Sequence, residues 1–146
     1  IDGLATSVTT IIMTTLTIIS VIFGVKEVTI FGSIIIGTCL AFLLFNLHPA
    51  KVMMGDTGSL MLGGAIAGIA LYLKMPLLLI IIAIIPIIET LSVMLQVAHF
   101  KRTGNRIFKM APIHHHFELS GWKENKIVSV FCVITLILCI IGIYSI

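Results

Sequence analysis

Residues Ile127–Ile146 read IVSVFCVITLILCIIGIYSI, twenty positions without one charged side chain. At roughly 1.5 Å of rise per residue, a helix of about 20 apolar residues crosses the hydrocarbon core of a bilayer. Four more stretches come close to this length: Leu4–Phe23, Val28–Phe45, Ser59–Leu73 and Pro76–Ala98. The composition agrees. Of 146 residues, 59% are hydrophobic and 10% charged, against about 25% charged in an ordinary soluble domain. The mean hydropathy is +1.23. Too little polar surface exists to cover a water-soluble globule, so that class is excluded.

The expected fold is therefore all-α, a polytopic transmembrane helix bundle with five spans. The first span is rich in threonine, which a membrane helix tolerates because the hydroxyls bond back to helix carbonyls. The third carries Gly64-Ala-Ile-Ala-Gly68, a spacing that lets another helix approach closely. The fourth contains Pro86, which lacks a backbone N–H and is expected to kink it. Cys39, Cys132 and Cys139 all lie in apolar runs without metal or redox spacing and read as small buried hydrophobes. No signal peptide is visible before the first span. The polar start at Ile1-Asp2-Gly3 leads us to expect the C-terminal part of a longer protein.

Five spans alternate their connections. The start of the chain, the 46–58 loop and the 99–126 loop then share one membrane face. That face holds Lys51, Lys101, Arg102, Arg106, Lys109, Lys123 and Lys126, seven of the nine basic residues. Such a bias marks the cytoplasmic side. Nucleic acid is not an expected partner, since only Phe108 is interleaved with the basic cluster for stacking.

Three polar stretches lie at or near this face. Gly55-Asp56-Thr57-Gly58-Ser59 precedes an apolar helix, so Asp56 or Thr57 can serve as an ordinary N-cap. Alternatively, the glycines admit a ligand close to the backbone, and the free N–H groups of the helix start favour phosphate. A carboxylate beside phosphate then calls for a bridging cation, Mg²⁺ above all. In Pro112-Ile113-His114-His115-His116, neighbouring side chains diverge on either a helix or a strand, which disfavours a three-histidine metal site. A polar loop is expected, whose imidazoles donate to phosphate or exchange a proton, or which simply touches lipid headgroups. Glu89, Ser92 and Gln96 form a stripe along the fourth span. An acidic residue there lines a groove or pairs with a base.

The stretches IDGLATS (1–7), NLHPAKVMMGDTGS (46–59) and FKMAPIHHHFELSGW (108–122), in that order, resemble the polyprenyl-phosphate N-acetylhexosamine-1-phosphate transferases. The PIHHHFE pattern resembles their peptidoglycan branch, the bacterial phospho-N-acetylmuramoyl-pentapeptide transferases. The resemblance implies ten spans, of which these five are the second half, with a homodimer suggested. It implies a reaction in the bacterial plasma membrane with a cytoplasmic active site. There UDP-MurNAc-pentapeptide and undecaprenyl phosphate give lipid I and UMP, in peptidoglycan synthesis.

By the same resemblance Asp56 ligates Mg²⁺ and Asn46 lies near the uridine diphosphate. Asp2 lies near the nucleoside, and Gln96 forms part of the groove wall. His114, His115 and His116 contact the donor or its diphosphate and assist the departure of UMP, with Gly55 giving the backbone its close approach. Met53 stands where the family commonly has a Phe that stacks on uracil. The family's first-half Asp-Asp pair and donor-contacting lysines are absent from this chain, so the chain alone is expected to be inactive. A sister transferase using UDP-GlcNAc, or a half-transporter with Glu89 on its path, are the competing expectations.

Overall fold

The computed structural model describes residues 1–146 and is all-helical. The helices are α1 (Leu4–Ile22), α2 (Lys26–Asn46), α3 (Asp56–Tyr72), α4 (Leu78–Ile82), α5 (Ile84–Thr103), α6 (Ile113–Glu118) and α7 (Glu124–Tyr144). Four of them, α1, α2, α5 and α7, are long and apolar enough to cross a membrane. The third expected span is α3, whose 17 residues reach about 26 Å.

Helix α1 is the hub, packed against α2, α3 and α7. Its Ile12, Met13, Leu16 and Ile19 are fully buried. The threonines behave as expected: Thr10, Thr14, Thr15 and Thr17 each donate to the carbonyl four residues back. Their hydroxyls therefore cost the bundle no unpaired donor. Close approach of α1 and α2 is set at Gly32, where an added Cβ would collide with the Thr17 side chain. Further along the same face Cys39 of α2 lies against Thr10, while on the flank of α1 that meets α7, Cys132 and Cys139 lie against Ser7 and Thr15.

Two expectations change. The close-packing glycines Gly64 and Gly68 meet nothing within 4 Å, because α3 turns Leu62, Ile66 and Ile69 inward instead. The interruption of the fourth span falls at Ala83, between α4 and α5, rather than at Pro86 itself. The cause still lies in the proline. Its ring clashes with the carbonyl four residues back, so the preceding helix must stop early. Pro86 then sits in the first turn of α5, where a missing N–H is harmless.

The far ends of α4 and α7 meet where Gly142 lies under Ile82 and Leu78. At the opposite end α5 stops at Gly104, in the left-handed conformation (φ 72°), with its N–H bonded to the Phe100 carbonyl. Segment 104–112 and α6 fold back along α5, and Phe117 packs on Phe131 of α7. Large apolar side chains of α2, α3 and α5, among them Ile30, Leu44, Leu60, Leu71 and Leu95, remain exposed. An outward apolar surface of this kind suits lipid or further protein.

Candidate functional site

The chain start, the α2–α3 loop and the head of α7 are drawn together at one end. Asp2 Oδ2 accepts from the Ala50 N–H at 3.0 Å and meets His48 Nδ1 at 3.2 Å. The same His48 nitrogen lies 3.4 Å from Glu124 Oε2. The backbone donor at Ala50 is the main influence holding the Asp2 carboxyl below the usual carboxylate range, with His48 adding to it. These three side chains converge closely enough to hold a metal ion. Their chemistry suits Mg²⁺ poorly, since that ion prefers oxygen ligands alone and Asp2 is already hydrogen-bonded. His48 and Glu124 were not singled out in the sequence. They lie 76 positions apart, and only the fold joins them.

Asn46 is 5% exposed. Its Oδ1 accepts from Thr6 Oγ1 at 3.0 Å and its Nδ2 donates to the Val52 carbonyl at 2.9 Å. The side chain thus braces the loop against α1. Asn46→Ala would leave the Thr6 hydroxyl and the Val52 carbonyl without this partner. We expect a loss of about 1–3 kcal/mol, read as a lower Tm of the full-length protein in detergent. An unchanged Tm would mean that the loop does not depend on this brace.

Helix α3 begins at Asp56, three residues before the expected start of the third span, because extended Gly55 provides the N-cap. The first bond at this end runs from Ser59 N–H to the Gly55 carbonyl, so the amides of residues 56–58 precede the ladder. No side chain caps this end, which disposes of the capping role for Asp56 and Thr57. The Asp56 carboxylate is exposed and makes no hydrogen bond or ion pair with any side chain. Met53, 70% exposed, lines a cleft of about 230 Å³ with Met54, Gly55, Gly58 and Phe42.

The three histidines stand on the short helix α6 rather than in the expected irregular loop. As the helical geometry requires, they diverge to separate partners. His114 Nδ1 meets Glu89 Oε2 at 2.6 Å, and both side chains are about five-sixths buried. His115 Nδ1 meets Glu118 Oε2 at 2.8 Å. His116 Nδ1 accepts from the Lys109 N–H at 3.2 Å. No hydrogen bond or ion pair joins any of them to Asp56.

The stripe on α5 is engaged within the protein. Ser92 bonds to the Glu89 carbonyl. Gln96 Oε1 accepts from the Ile107 and Phe108 N–H groups, and its Nε2 donates to the Phe108 carbonyl. Beside it opens a cleft of about 400 Å³ lined by Val93, Val97, Phe100 and Met110, with exposed Lys101 and Arg106.

Apolar helices that gather histidines, carboxylates and most of the cations at one end define a multi-pass membrane protein with its candidate site there. Comparison with known proteins gives the family. The model of Glycosyl transferase family 4 matches residues 1–74, and the chain belongs to that family. Similar proteins include those of Clostridium perfringens (strain 13 / Type A), 62% identical over 145 residues, and of Clostridium kluyveri, 57% identical over 145 residues. A Clostridium botulinum protein (strain Eklund 17B / Type B) is 60% identical over 142. Each bears the name phospho-N-acetylmuramoyl-pentapeptide-transferase. The matches cover 97–99% of this chain but only 44–46% of each relative, so the chain spans less than half their length.

Proposed function

We propose that the full-length protein transfers phospho-MurNAc-pentapeptide from UDP-MurNAc-pentapeptide to undecaprenyl phosphate, giving lipid I and UMP. The reaction takes place at the cytoplasmic face of the bacterial plasma membrane. The observation that carries this is the 57–62% identity, over nearly the whole chain, with transferases of that name. Five crossings, counting α3 as one and α4–α5 together as another, bring Asp2, Asp56 and α6 to that face. The remainder of the protein supplies the Asp-Asp pair and the lysines that this chain lacks.

A phosphate oxygen attacks a diphosphate, and the barrier is largely charge repulsion and positioning. The unbonded Asp56 carboxylate fits one protein ligand of Mg²⁺, which is held by one or two carboxylates plus substrate phosphates. Bound there, the ion would neutralise diphosphate charge. The amides at the head of α3 attract phosphate, and imidazoles of α6 donate toward the departing UMP. Met53 packs its thioether on the base. The apolar cleft beside Lys101 and Arg106 suits a lipid chain with a phosphate at its end. Pairing of Glu89 with His114 weighs against the transporter alternative, which needs a free intramembrane carboxylate.

UMP release by the full-length protein in nanodiscs tests this, with undecaprenyl phosphate and either UDP-MurNAc-pentapeptide or UDP-GlcNAc. Release is expected only with the first and only with Mg²⁺. Release with UDP-GlcNAc alone would move the protein to the sister branch, and release indifferent to chelation would remove the metal.

A further inference from the structure

We infer that Glu89 is a positioning residue for His114, fixing which ring nitrogen is presented to the substrate; this rests on the transferase reading above. Glu89 lies well inside α5, roughly 20 Å along the axis from Thr103 at about 1.5 Å per residue. The return of segment 104–112 brings α6 to that depth. Glu89 Oε2 is bonded to His114 Nδ1 at 2.6 Å, while Glu89 Oε1 is buried without any partner.

That arrangement is poor design for stability alone. Burying a carboxylate is costly, and one imidazole satisfies only one of its oxygens. A glutamine at position 89 could make the same bond through its carbonyl oxygen with no charge to bury. What the carboxylate adds is direction. An ionised carboxylate only accepts, so the proton of the shared bond sits on His114 Nδ1 and Nε2 becomes the free nitrogen. A glutamine offers an N–H as well and tolerates either ring tautomer.

The neighbouring histidines are held differently. His116 Nδ1 accepts a backbone N–H, which puts the proton of its neutral ring on Nε2. His115 bonds Glu118 within the same short helix, where both side chains are about one-third exposed. Only His114 is oriented by a buried group from another helix. Held in that tautomer and rotamer, Nε2 is the nitrogen that takes up a proton from solvent, and the imidazolium, its Nδ1–H still on the carboxylate, then donates from Nε2 to a phosphate oxygen with less reorganisation.

The test uses full-length protein carrying Glu89→Gln, Glu89→Asp, His114→Asn, and the Gln and Asn changes combined. Glu89→Gln is expected to lower kcat about 10-fold or more, a part of the roughly 10²–10⁴-fold that a positioned proton-transfer group supplies, with KM for the nucleotide sugar little changed. Glu89→Asp should recover part of the loss. The double variant should be no slower than His114→Asn alone, because Glu89 acts through that ring. Losses that multiply in the double variant would overturn the inference while leaving the transferase reading intact. Absence of UMP release from wild type would overturn both. A second readout needs no variant of Glu89 to fold. Imidazole ¹⁵N NMR of wild type, with His114 assigned by its loss in His114→Asn, should give a proton on Nδ1. A neutral ring protonated on Nε2 would overturn the inference by itself.

Discussion

Full-length protein carrying Asp56→Asn is expected to release UMP about 10²-fold more slowly or worse, the cost of losing a main charge-stabilising group, at nearly unchanged Tm. Both halves of that expectation come from the same geometry. The carboxylate is exposed, at the head of α3, and bonded to no other side chain. Its structural contribution is limited to a favourable charge at a helix N-terminus, about 0.3–1 kcal/mol. Asparagine preserves the shape and removes only that charge. Activity and stability should therefore separate. Unaltered release would leave Asp56 as a helix-start charge with no metal to hold. A large fall in Tm would mean that its carboxylate braces the protein after all.

Gln96→Ala is expected to free segment 104–112 from α5. Three hydrogen bonds from one amide disappear, and at about 1 kcal/mol each their sum approaches 3 kcal/mol. The change is local, so amide exchange at Ile107 and Phe108 should accelerate about 10²-fold, at roughly 1.4 kcal/mol per tenfold. The α1–α2 amides should keep wild-type exchange. Because this segment leads into α6, UMP release should fall with it. Gln96→Glu should be intermediate, since it still accepts the two N–H groups but turns an oxygen toward the Phe108 carbonyl. Unchanged exchange at Ile107 and Phe108 would mean that apolar contacts, not this clamp, hold the segment.

The spans were legible because hydropathy acts over whole segments. Helices α1, α2 and α7 each begin and end within three residues of the stretch read from the sequence. Details that depend on one residue acting at a distance were not. Pro86 announced an interruption, but its clash lies four residues upstream, which moves the break to Ala83. The Gly64/Gly68 spacing signalled contact, yet the face a helix buries depends on its neighbours, and those lie against Leu62 and Ile66.

In the site, polar residues in apolar surroundings were easy to single out. Whether each faces a ligand or the protein was not. Asn46 and Gln96 have their amide groups engaged internally, whereas Asp56 is free. Of the two outcomes open for Glu89, the structure has the pairing, with His114. His48 with Glu124, and Glu89 with His114, are long-range pairs that no local pattern encodes.

The packing of α7 on α1 has a consequence for biogenesis. Ser7 and Thr15 on the hub helix are covered by Cys132 and Cys139 of α7, more than a hundred residues later, and Asp2 and Glu124 share His48 across the same divide. As the chain leaves the ribosome and enters the bilayer, α1 and α2 can associate at once. The flank of α1 that awaits α7 must stay open while everything between them is inserted. Until then, lipid or an insertion factor occupies the place of α7, and the polar end stays unlatched until that helix has been made and inserted.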